Sequence, residues 1–292
     1  GVNTSSGFIP ASVVVLAIGH SARDTYRMLA ERRVPMTPKP FQFGVRIEHQ
    51  QDVVNAVQFG PRHAHYEELL GNADYSLVAH GGHDLFTFCM CAGGYIIPSV
   101  SQDGFFATNG MSLSKRDSAF ANSGLVVTVP VEEFGASDVL AGVRLQEKYE
   151  ARAYEIGSRA EYRSPAQRAK DFVAGRASAA VGECSYPRGV TACDLREVLP
   201  PVVAAAVADG LPQMDRRWRG RFLANAVLVG PESRGSSPLR IDRDPETRES
   251  PGVPGLYPVG EGAGYAGGIV SAAVDGLRTA RAVIGKYANA GA

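Results

Sequence analysis

A glycine-dense turn near the C-terminus constrains the fold of this chain more than any other stretch. It lies between a short apolar strand predicted at residues 256–259 and a helix whose apolar residues recur every 3.6 positions. These helix residues are Ile269, Ala273, Leu277, Ala280 and Ile284. Glycines let the backbone approach a ligand closely, and the free amide groups at a helix start favour a partly anionic group. The layout is typical of a cofactor cradle, and a glycine-rich packing turn without a ligand is the alternative.

Residues 262–267 match the GxGxxG pattern of a nucleotide-binding turn, but their context argues against that interpretation. Such a turn needs a second parallel strand and an acidic residue about 20 residues further on. Here a single helix follows in the sequence. We therefore interpret the strand, the turn and the helix as the closing elements of a dinucleotide-binding domain.

The N-terminal region supplies a second strand–turn–helix unit. Residues 13–18 are six apolar residues that end at Gly19, which predicts a central parallel strand buried on both faces. A helix with Tyr26 and Leu29 on its apolar face follows, and three prolines at positions 35, 38 and 40 then mark a boundary. Beyond them, residues 41–48 alternate between apolar and polar types, which predicts a half-buried strand of an antiparallel sheet.

The predicted fold class is α/β, with one domain inserted into another. A Rossmann-like dinucleotide-binding domain is formed by residues 1–38 and 226–292, and residues 39–225 form a large inserted α+β domain with an antiparallel or mixed sheet. Within the insertion we expect helices at residues 138–157, at 164–175 with Ser164 as the cap, and at 202–209 before Gly210.

Charge and composition exclude several classes of protein. Thirty basic and 30 acidic residues give a formal net charge of zero, which predicts neither a nucleic-acid partner nor an anionic membrane surface. No apolar run reaches the roughly 18 residues of a spanning helix, and no signal-peptide pattern is visible. Four cysteines do not form a disulfide scaffold in so long a chain, which favours a reducing, cytoplasmic setting.

Five segments in order carry a resemblance to a known family: residues 14–25, 39–49, 87–94, 108–112 and 260–276. Together they closely resemble the uncharacterised FAD-dependent dehydrogenases of bacteria, which are similar to glutathione-reductase-type and BaiN-type flavoproteins. The resemblance implies FAD as the cofactor and a partial FAD/NAD(P)-binding Rossmann-like domain. Members of the family carry an N-terminal GxGxxG unit that this sequence lacks, so the chain is expected to be the C-terminal portion of such a protein.

The resemblance also implies roles for residues of the two turns. Glu261, between Gly260 and Gly262, corresponds to an acidic residue that contacts the flavin ribityl chain, and the amides of Gly267, Gly268 and Ile269 are directed at the pyrimidine edge of the flavin. Gly19 and His20 correspond to a strand end near the cofactor. A first-turn acid that complements the helix dipole is the alternative for Glu261, and a structural loop histidine is the alternative for His20.

Three residues are candidates for catalysis: Cys89, Cys91 and Arg234. On a strand, residues i and i+2 have Cα atoms about 6.6 to 7 Å apart, which disfavours a redox disulfide between the two cysteines. Packed thiols or a role in a substrate pocket remain open for them, and a zinc site with His80 and His83 is disfavoured by the spacing, so no metal is predicted. An arginine at position 234 suits a substrate carboxylate or an anionic flavin, or else a surface ion pair.

The function predicted from these features is a transfer of hydride or electrons between a small-molecule substrate and flavin. Two alternatives remain open. In the first alternative, the chain is a substrate- or partner-binding fragment that does not hold flavin alone. In the second, it belongs to a flavin-dependent RNA-modifying protein, for which the basic run at residues 216–221 is the single indication. The sequence identifies neither the substrate, the electron partner nor the oligomeric state.

Overall fold

The computed structural model describes residues 1–288 of the 292-residue chain. This described part contains fifteen strands, which are β1 (Val2–Thr4), β2 (Gly7–Ile9), β3 (Val14–Leu16), β4 (Met36–Pro38), β5 (Phe41–Gln50), β6 (Val78–Ala79), β7 (Leu85–Cys91), β8 (Tyr95–Pro98), β9 (Thr108–Met111), β10 (Phe120–Val129), β11 (Ser164–Arg168), β12 (Val190–Ala192), β13 (Val227–Glu232), β14 (Leu239–Ile241) and β15 (Leu256–Pro258). Its seven α-helices are α1 (Arg23–Glu31), α2 (Gln51–Phe59), α3 (His63–Leu70), α4 (Ala141–Ile156), α5 (Ala169–Val173), α6 (Pro201–Arg217) and α7 (Ile269–Ala288). Short 3-10 helices lie at Gly60–Arg62, Val131–Glu133, Arg159–Glu161 and Leu195–Val198. None of the helices in this part of the chain has both the length and the apolar composition that crossing a membrane requires.

The chain divides into two compact units that alternate along the sequence. The first unit contains residues 1–41, 130–145 and the chain from 234 onward, and the second contains residues 42–129 and 146–233. The predicted domains, 1–38 with 226–292 around 39–225, differ from these units at three places, of which residues 39–41, in the first unit, are one. Residues 130–145 belong to the first unit, and residues 226–233 belong to the second because β13 pairs with β5 and β11 there.

A seven-stranded mixed sheet forms the centre of the second unit. Its strand order is β12-β11-β13-β5-β10-β7-β6, in which β11 and β12 run parallel while β13 is antiparallel to both β11 and β5. The mixed α/β class and the mixed sheet confirm that part of the prediction. The Rossmann-like relationship of the first unit stays a prediction.

Strand β5 is buried on both faces, so the prediction of a half-buried strand is wrong. Its polar residues Arg46, Glu48 and His49 are all less than 5% exposed. The strand lies between β13 and β10 in the middle of the sheet, where protein groups replace water as hydrogen-bond partners for these side chains. The alternation of residue types therefore reflects two buried faces of different polarity.

Two predicted helix boundaries are also wrong. Residues 164–168 form β11, paired on both sides, and the helix in this region is limited to α5; strand pairing overrides the capping signal of Ser164. Helix α6 continues past Gly210 to Arg217. A Cβ atom on Gly210 would lie 2.7 Å from Cδ2 of Leu85, so this glycine permits a close helix–sheet contact and does not end the helix.

The first unit contains three small strand pairs, one of which is the antiparallel pair of β1 and β2, and its own apolar core. Strands β3 and β15 pair in parallel, and β4 and β14 pair antiparallel. The core residues of this unit are Tyr26, Leu29, Val143, Leu239, Ile241 and Ala263. The prediction that β3 is buried on both faces is wrong: β15 is its one strand partner in the described chain, and Val15 is 55% exposed.

Helix α7 confirms the predicted C-terminal helix, but its apolar stripe faces away from the unit. Ile269 is 92% exposed, and Leu277 and Ile284 are 63% and 62% exposed. The buried residues of this helix are the polar Asp275 and Thr279. Polar anchoring, not apolar burial, therefore fixes the helix against the rest of the first unit.

Candidate functional site

The glycine turn between β15 and α7 packs tightly against other backbone of the first unit. A Cβ atom on Gly262 would lie 2.4 Å from the carbonyl oxygen of Gly19, and one on Gly264 would lie 2.4 Å from that of Leu239. Gly264 also has a φ of +82°, which few other residues adopt without strain. Internal packing thus explains these two glycines without a ligand.

Gly267 and Gly268 have no such packing reason. No other part of the described chain comes within 4 Å of a Cβ atom built on Gly267, and the nearest atom to one on Gly268 is the Ser271 hydroxyl at 3.9 Å. They lead directly into α7, which begins at Ile269. The first amide groups of a helix lack intrahelical partners and lie at its positive end, so this open helix start is suited to an electron-rich group.

The two turns of the first unit meet through a histidine–glutamate pair. Nδ1 of His20 lies 2.9 Å from Oε1 of Glu261, with the His20 side chain 9% and the Glu261 side chain 32% exposed. Nε2 of His20 is buried and has no hydrogen-bond partner among the residues that the structure describes. Nε2 accepts a hydrogen bond in the neutral imidazole and donates one in the charged ring, so His20 presents one unsatisfied polar atom beside the turn.

The structure therefore brings together most of the residues predicted to bind the cofactor. Gly19 contacts Gly262 through its backbone, His20 contacts Glu261, and the Gly260 amide donates to Asp275 of α7. Gly267, Gly268 and Ile269 lie at the start of that helix. Arg234, predicted as a catalytic candidate, donates from Nη1 to the hydroxyl of Ser21 at 3.2 Å, next to His20 in the sequence.

Asp275 connects the glycine turn to α7, and the sequence reasoning did not single it out. Its carboxylate accepts hydrogen bonds from the Gly260 amide at 2.8 Å, from two nitrogens of Arg243 at 2.7 and 2.9 Å, and from Arg248. Burial alone would raise the pKa of Asp275, but the hydrogen bonds from Arg243 and Gly260 outweigh it and lower this pKa. An aspartate within an otherwise apolar helical segment was the signal in the sequence.

Tyr26 also holds the turn, although the sequence predicted it only as part of an apolar helix face. Its hydroxyl donates to the carbonyl oxygen of Gly262 at 2.7 Å and lies 3.3 Å from the Ser237 hydroxyl. Burial raises the pKa of Tyr26 to about 12. The phenol therefore stays protonated at neutral pH and remains a donor to the turn.

A second polar cluster lies inside the sheet of the second unit, around Arg46 on β5. The Arg46 guanidinium contacts both carboxylate oxygens of Glu232, with Nε–Oε2 at 2.6 Å and Nη2–Oε1 at 3.1 Å, and Nη1 donates to Asn122 at 2.7 Å. Burial raises the pKa of Glu232 against the opposing effect of Arg46, whereas the Glu232 charge raises the pKa of Arg46 despite its burial. The bidentate geometry is that of an ion pair, so Arg46 is the buried cation of the cluster.

The predicted catalytic cysteines border this cluster. Nη1 of Arg46 donates to the Cys89 carbonyl at 3.2 Å and lies 3.9 Å from the Cys91 sulfur. Cys89 is exposed and has a φ of +44°, at a point where the register between β7 and β10 shifts. Both are free thiols in the structure.

The chain shows no candidate metal centre within residues 1–288. In this range there is no group of three or more histidine, cysteine, aspartate or glutamate side chains that is arranged to hold an ion. His80, considered with the cysteines as a ligand, instead lies 3.1 Å from Asp84 on the surface.

Comparison with known proteins extends these observations. The sequence model of a family described as "FAD-dependent protein, C-terminal domain-like" matches residues 40–235, which include the whole Arg46 cluster. An uncharacterized protein of Clostridium beijerinckii is 43% identical over 284 residues, which is 96% of this chain and 52% of that relative. The chain thus spans about half the length of this relative.

Proposed function

The chain belongs to the family of FAD-dependent proteins whose C-terminal domain matches residues 40–235, and from this we propose that it is part of an FAD-dependent oxidoreductase. The observation in the structure that supports the proposal best is the pair of His20 and Glu261 at the glycine turn. It combines a carboxylate that is one-third exposed with a buried ring nitrogen that has no partner in the described chain.

The residues around the turn fit the ribityl chain and the ring of a flavin. The carboxylate of Glu261 is an acceptor for ribityl hydroxyls, and Nε2 of His20 has room for one further hydrogen bond. The amides of Gly267, Gly268 and Ile269 lie at the positive end of α7, where they favour negative charge. Gly19, Gly260 and Gly262 keep the backbone close enough for these groups to reach the cofactor.

Bound FAD supplies the capacity to accept or deliver a hydride, while the protein provides orientation and electrostatics. In this proposal Glu261 and His20 fix the position of the cofactor, and the helix start stabilises the negative charge that reduction produces. The substrate of this proposal is a small molecule. Cys89 and Cys91 in the second unit and Arg234 in the first unit are separate candidates for contact with it. All four cysteines are free thiols, and we place the protein in a reducing, cytoplasmic compartment on this basis.

The experiment that tests the proposal compares two purified proteins, this chain and the full-length Clostridium beijerinckii relative. Each is mixed with FAD, freed of excess cofactor, and examined for visible flavin absorbance. We expect the full-length relative to retain flavin. Flavin in this chain as well would mean that the turn alone suffices, and flavin in the relative alone would mean that the remaining half is required. If neither protein retains flavin, the proposal is wrong.

A variant then tests the assigned residues. Glu261→Ala should weaken FAD binding by roughly tenfold, the effect of losing a hydrogen bond to a charged group. Glu246→Ala is the matched control, because Glu246 is exposed in the same unit. The measurement is a titration of flavin fluorescence in whichever of the two proteins binds FAD. If only the relative binds FAD, the substitutions are made at its glutamates that align with Glu261 and Glu246. Equal affinities for the two variants would remove Glu261 from the cofactor site.

A further inference from the structure

The basic run at residues 216–221 lies along an open groove of the second unit. The groove has a volume of about 600 Å³ and lies between the end of α2, the turn that follows it and the loop after α6. Its lining includes Arg217, Trp218, Arg219, Arg221, His63 and Ala56. Its volume is within the range of small-molecule binding sites, roughly 300 to 1,000 Å³.

A buried aromatic cluster holds the arginine-bearing loop in place. Trp218 is 4% exposed, and its ring centroid lies 5.0 Å from those of Tyr75 and Phe222. Asp215 fixes both sides of the loop, because its carbonyl accepts from the Gly220 amide and its carboxylate from the Leu223 amide, each at 2.9 Å. With Trp218 and Phe222 buried, the side chains of the intervening arginines remain exposed.

The three arginines of the groove have no acidic partner in the described chain. Arg217, Arg219 and Arg221 are all exposed, and within the described chain none of their guanidinium groups forms a hydrogen bond or an ion pair. Other arginines, such as Arg152 and Arg243, contact carboxylates. The acid that borders the groove, Asp52, lies 3.2 Å from Nε2 of His63 and is 80% exposed.

Arg219 is one of five arginines of the described chain that have a positive φ. Its φ is +54°, in the left-handed region. Arg219 follows Trp218, the C-cap of α6, and a left-handed residue at this position commonly ends a helix. Gly220 follows with a φ of +83°, so the loop holds two successive left-handed residues at the edge of the groove.

We propose that this groove binds a small organic diphosphate. Guanidinium groups present planar pairs of donors that match phosphate oxygens. One phosphate monoester carries about −1.5 to −2 charges at neutral pH, so two phosphates are needed to balance three arginines. The apolar side of the groove, formed by Ala56, Val57 and Trp218, suits the organic portion of such a ligand. This inference does not depend on FAD binding at the glycine turn.

Trp218 makes the proposal directly measurable, because it is the one tryptophan of the 292-residue sequence. Its fluorescence is followed while ADP, inorganic pyrophosphate or AMP is added to the purified chain. We expect a saturable change with ADP and pyrophosphate and roughly tenfold weaker binding of AMP, which offers fewer charged acceptors. The Arg219→Gln and Arg221→Gln variants should each weaken ADP binding by roughly tenfold for the same reason.

Arg216→Gln is the matched control, because Arg216 is exposed in the same run but does not line the groove. Circular dichroism verifies that each variant is folded, and Arg221→Gln carries the test if the strained position 219 does not tolerate substitution. The proposal is overturned if neither ADP nor pyrophosphate gives saturable binding, or if Arg216→Gln weakens binding as much as Arg221→Gln. It is also overturned if a short single-stranded RNA binds more tightly than ADP, because the run would then be an RNA contact.

Discussion

At the scale of single residues, Asp275 is the most heavily bonded side chain near the glycine turn. Its carboxylate accepts from Gly260, Arg243 and Arg248, and replacing it by asparagine leaves two arginines without their charge partner. We expect Asp275→Asn to lower the free energy of unfolding by roughly 3 kcal/mol at neutral pH, the magnitude that is typical of breaking a buried ion pair. Urea unfolding monitored by circular dichroism measures this loss, and Glu246→Gln, at an exposed position, should leave the stability unchanged.

The same residue gives a pH dependence with a defined sign. The pKa of Asp275 is lowered in the folded protein, so its stabilisation is present above the unfolded-state pKa of about 3.9 and disappears as pH falls through the folded-state value. The difference in stability between the native chain and Asp275→Asn should therefore be constant from pH 7 to about 5 and shrink below about pH 4. A difference that stays constant through the acid range would contradict the assigned ion pair.

His49 should make the stability of the folded protein depend on pH in a less acidic range than Asp275 does. Burial lowers the pKa of His49 to about 4, and its Nε2 lies 2.9 Å from the carbonyl oxygen of Phe222. The pKa of His49 in the unfolded chain is about 6.5, so the unfolded chain takes up this proton first as the pH is lowered. The free energy of unfolding should therefore fall by up to about 1.4 kcal/mol for each pH unit of acidification between the two pKa values.

A histidine replacement isolates this effect. His49→Gln should flatten the decrease in stability between pH 6.5 and 5, whereas His65→Gln, at an exposed position, should keep it. Urea unfolding followed by the fluorescence of Trp218, whose ring centroid lies 5.4 Å from that of His49, is the measurement. If both variants retain the native slope, other groups control the stability in this range.

At the scale of elements, the close packing of the two turns makes one glycine critical. A Cβ atom on Gly262 would meet the backbone of Gly19 at 2.4 Å, and backbone cannot move aside as a flexible side chain does. We expect Gly262→Ala to lower the free energy of unfolding by roughly 2 to 3 kcal/mol through overpacking. Gly285→Ala is the matched control, because Gly285 is exposed on α7 with open space around it and alanine favours a helix by about 1 kcal/mol. Thermal unfolding should therefore move in opposite directions for the two variants.

Periodicity and turn residues predicted correctly those helices and strands that depend on contacts between residues close in sequence. The helix after the glycine turn and the strand before it both lie where turn residues and periodicity indicated. Such elements depend on contacts close in sequence, which a single sequence displays.

Patterns failed where distant contacts decide the outcome. Ser164 and Pro165 carry a helix-start signal, yet they pair with β12 as a strand, and Gly210 carries a stop signal inside a helix that needs it for packing. Arg46 lay on an alternating strand, but its partners Asn122 and Glu232 are 76 and 186 residues away in sequence. Asp275 was hidden for the same reason, since Arg243 precedes it by 32 residues. The residues proposed to bind the cofactor could be predicted because they lie within short sequence motifs.

At the scale of the whole molecule, the sequence did not predict that the first unit leaves apolar residues of α7 and β3 exposed. Apolar periodicity in α7 and a continuous apolar run in β3 both indicated buried elements. In the structure Ile269, Leu277 and Val15 are more than half exposed, because Asp275 and Thr279 take the buried side of α7 and β3 has one strand partner in the described chain. Periodicity identifies an apolar face, but it does not say whether another part of the same chain covers it.

This exposure predicts a difference between the chain and its longer relative. The dye ANS binds exposed apolar surface, and we expect this chain to bind more of it per molecule than the full-length Clostridium beijerinckii protein, of which the chain matches 52%. Leu277→Gln and Ile284→Gln should reduce the dye fluorescence of the chain without lowering its stability, since both side chains are more than 60% exposed. Leu70→Gln is the control, because Leu70 is 70% exposed on α3 and reports what one exposed leucine outside α7 contributes to dye binding. Leu239 is fully buried and is not suitable as a control. Equal dye binding by the two proteins would mean that the remaining half of the relative leaves α7 and β3 uncovered.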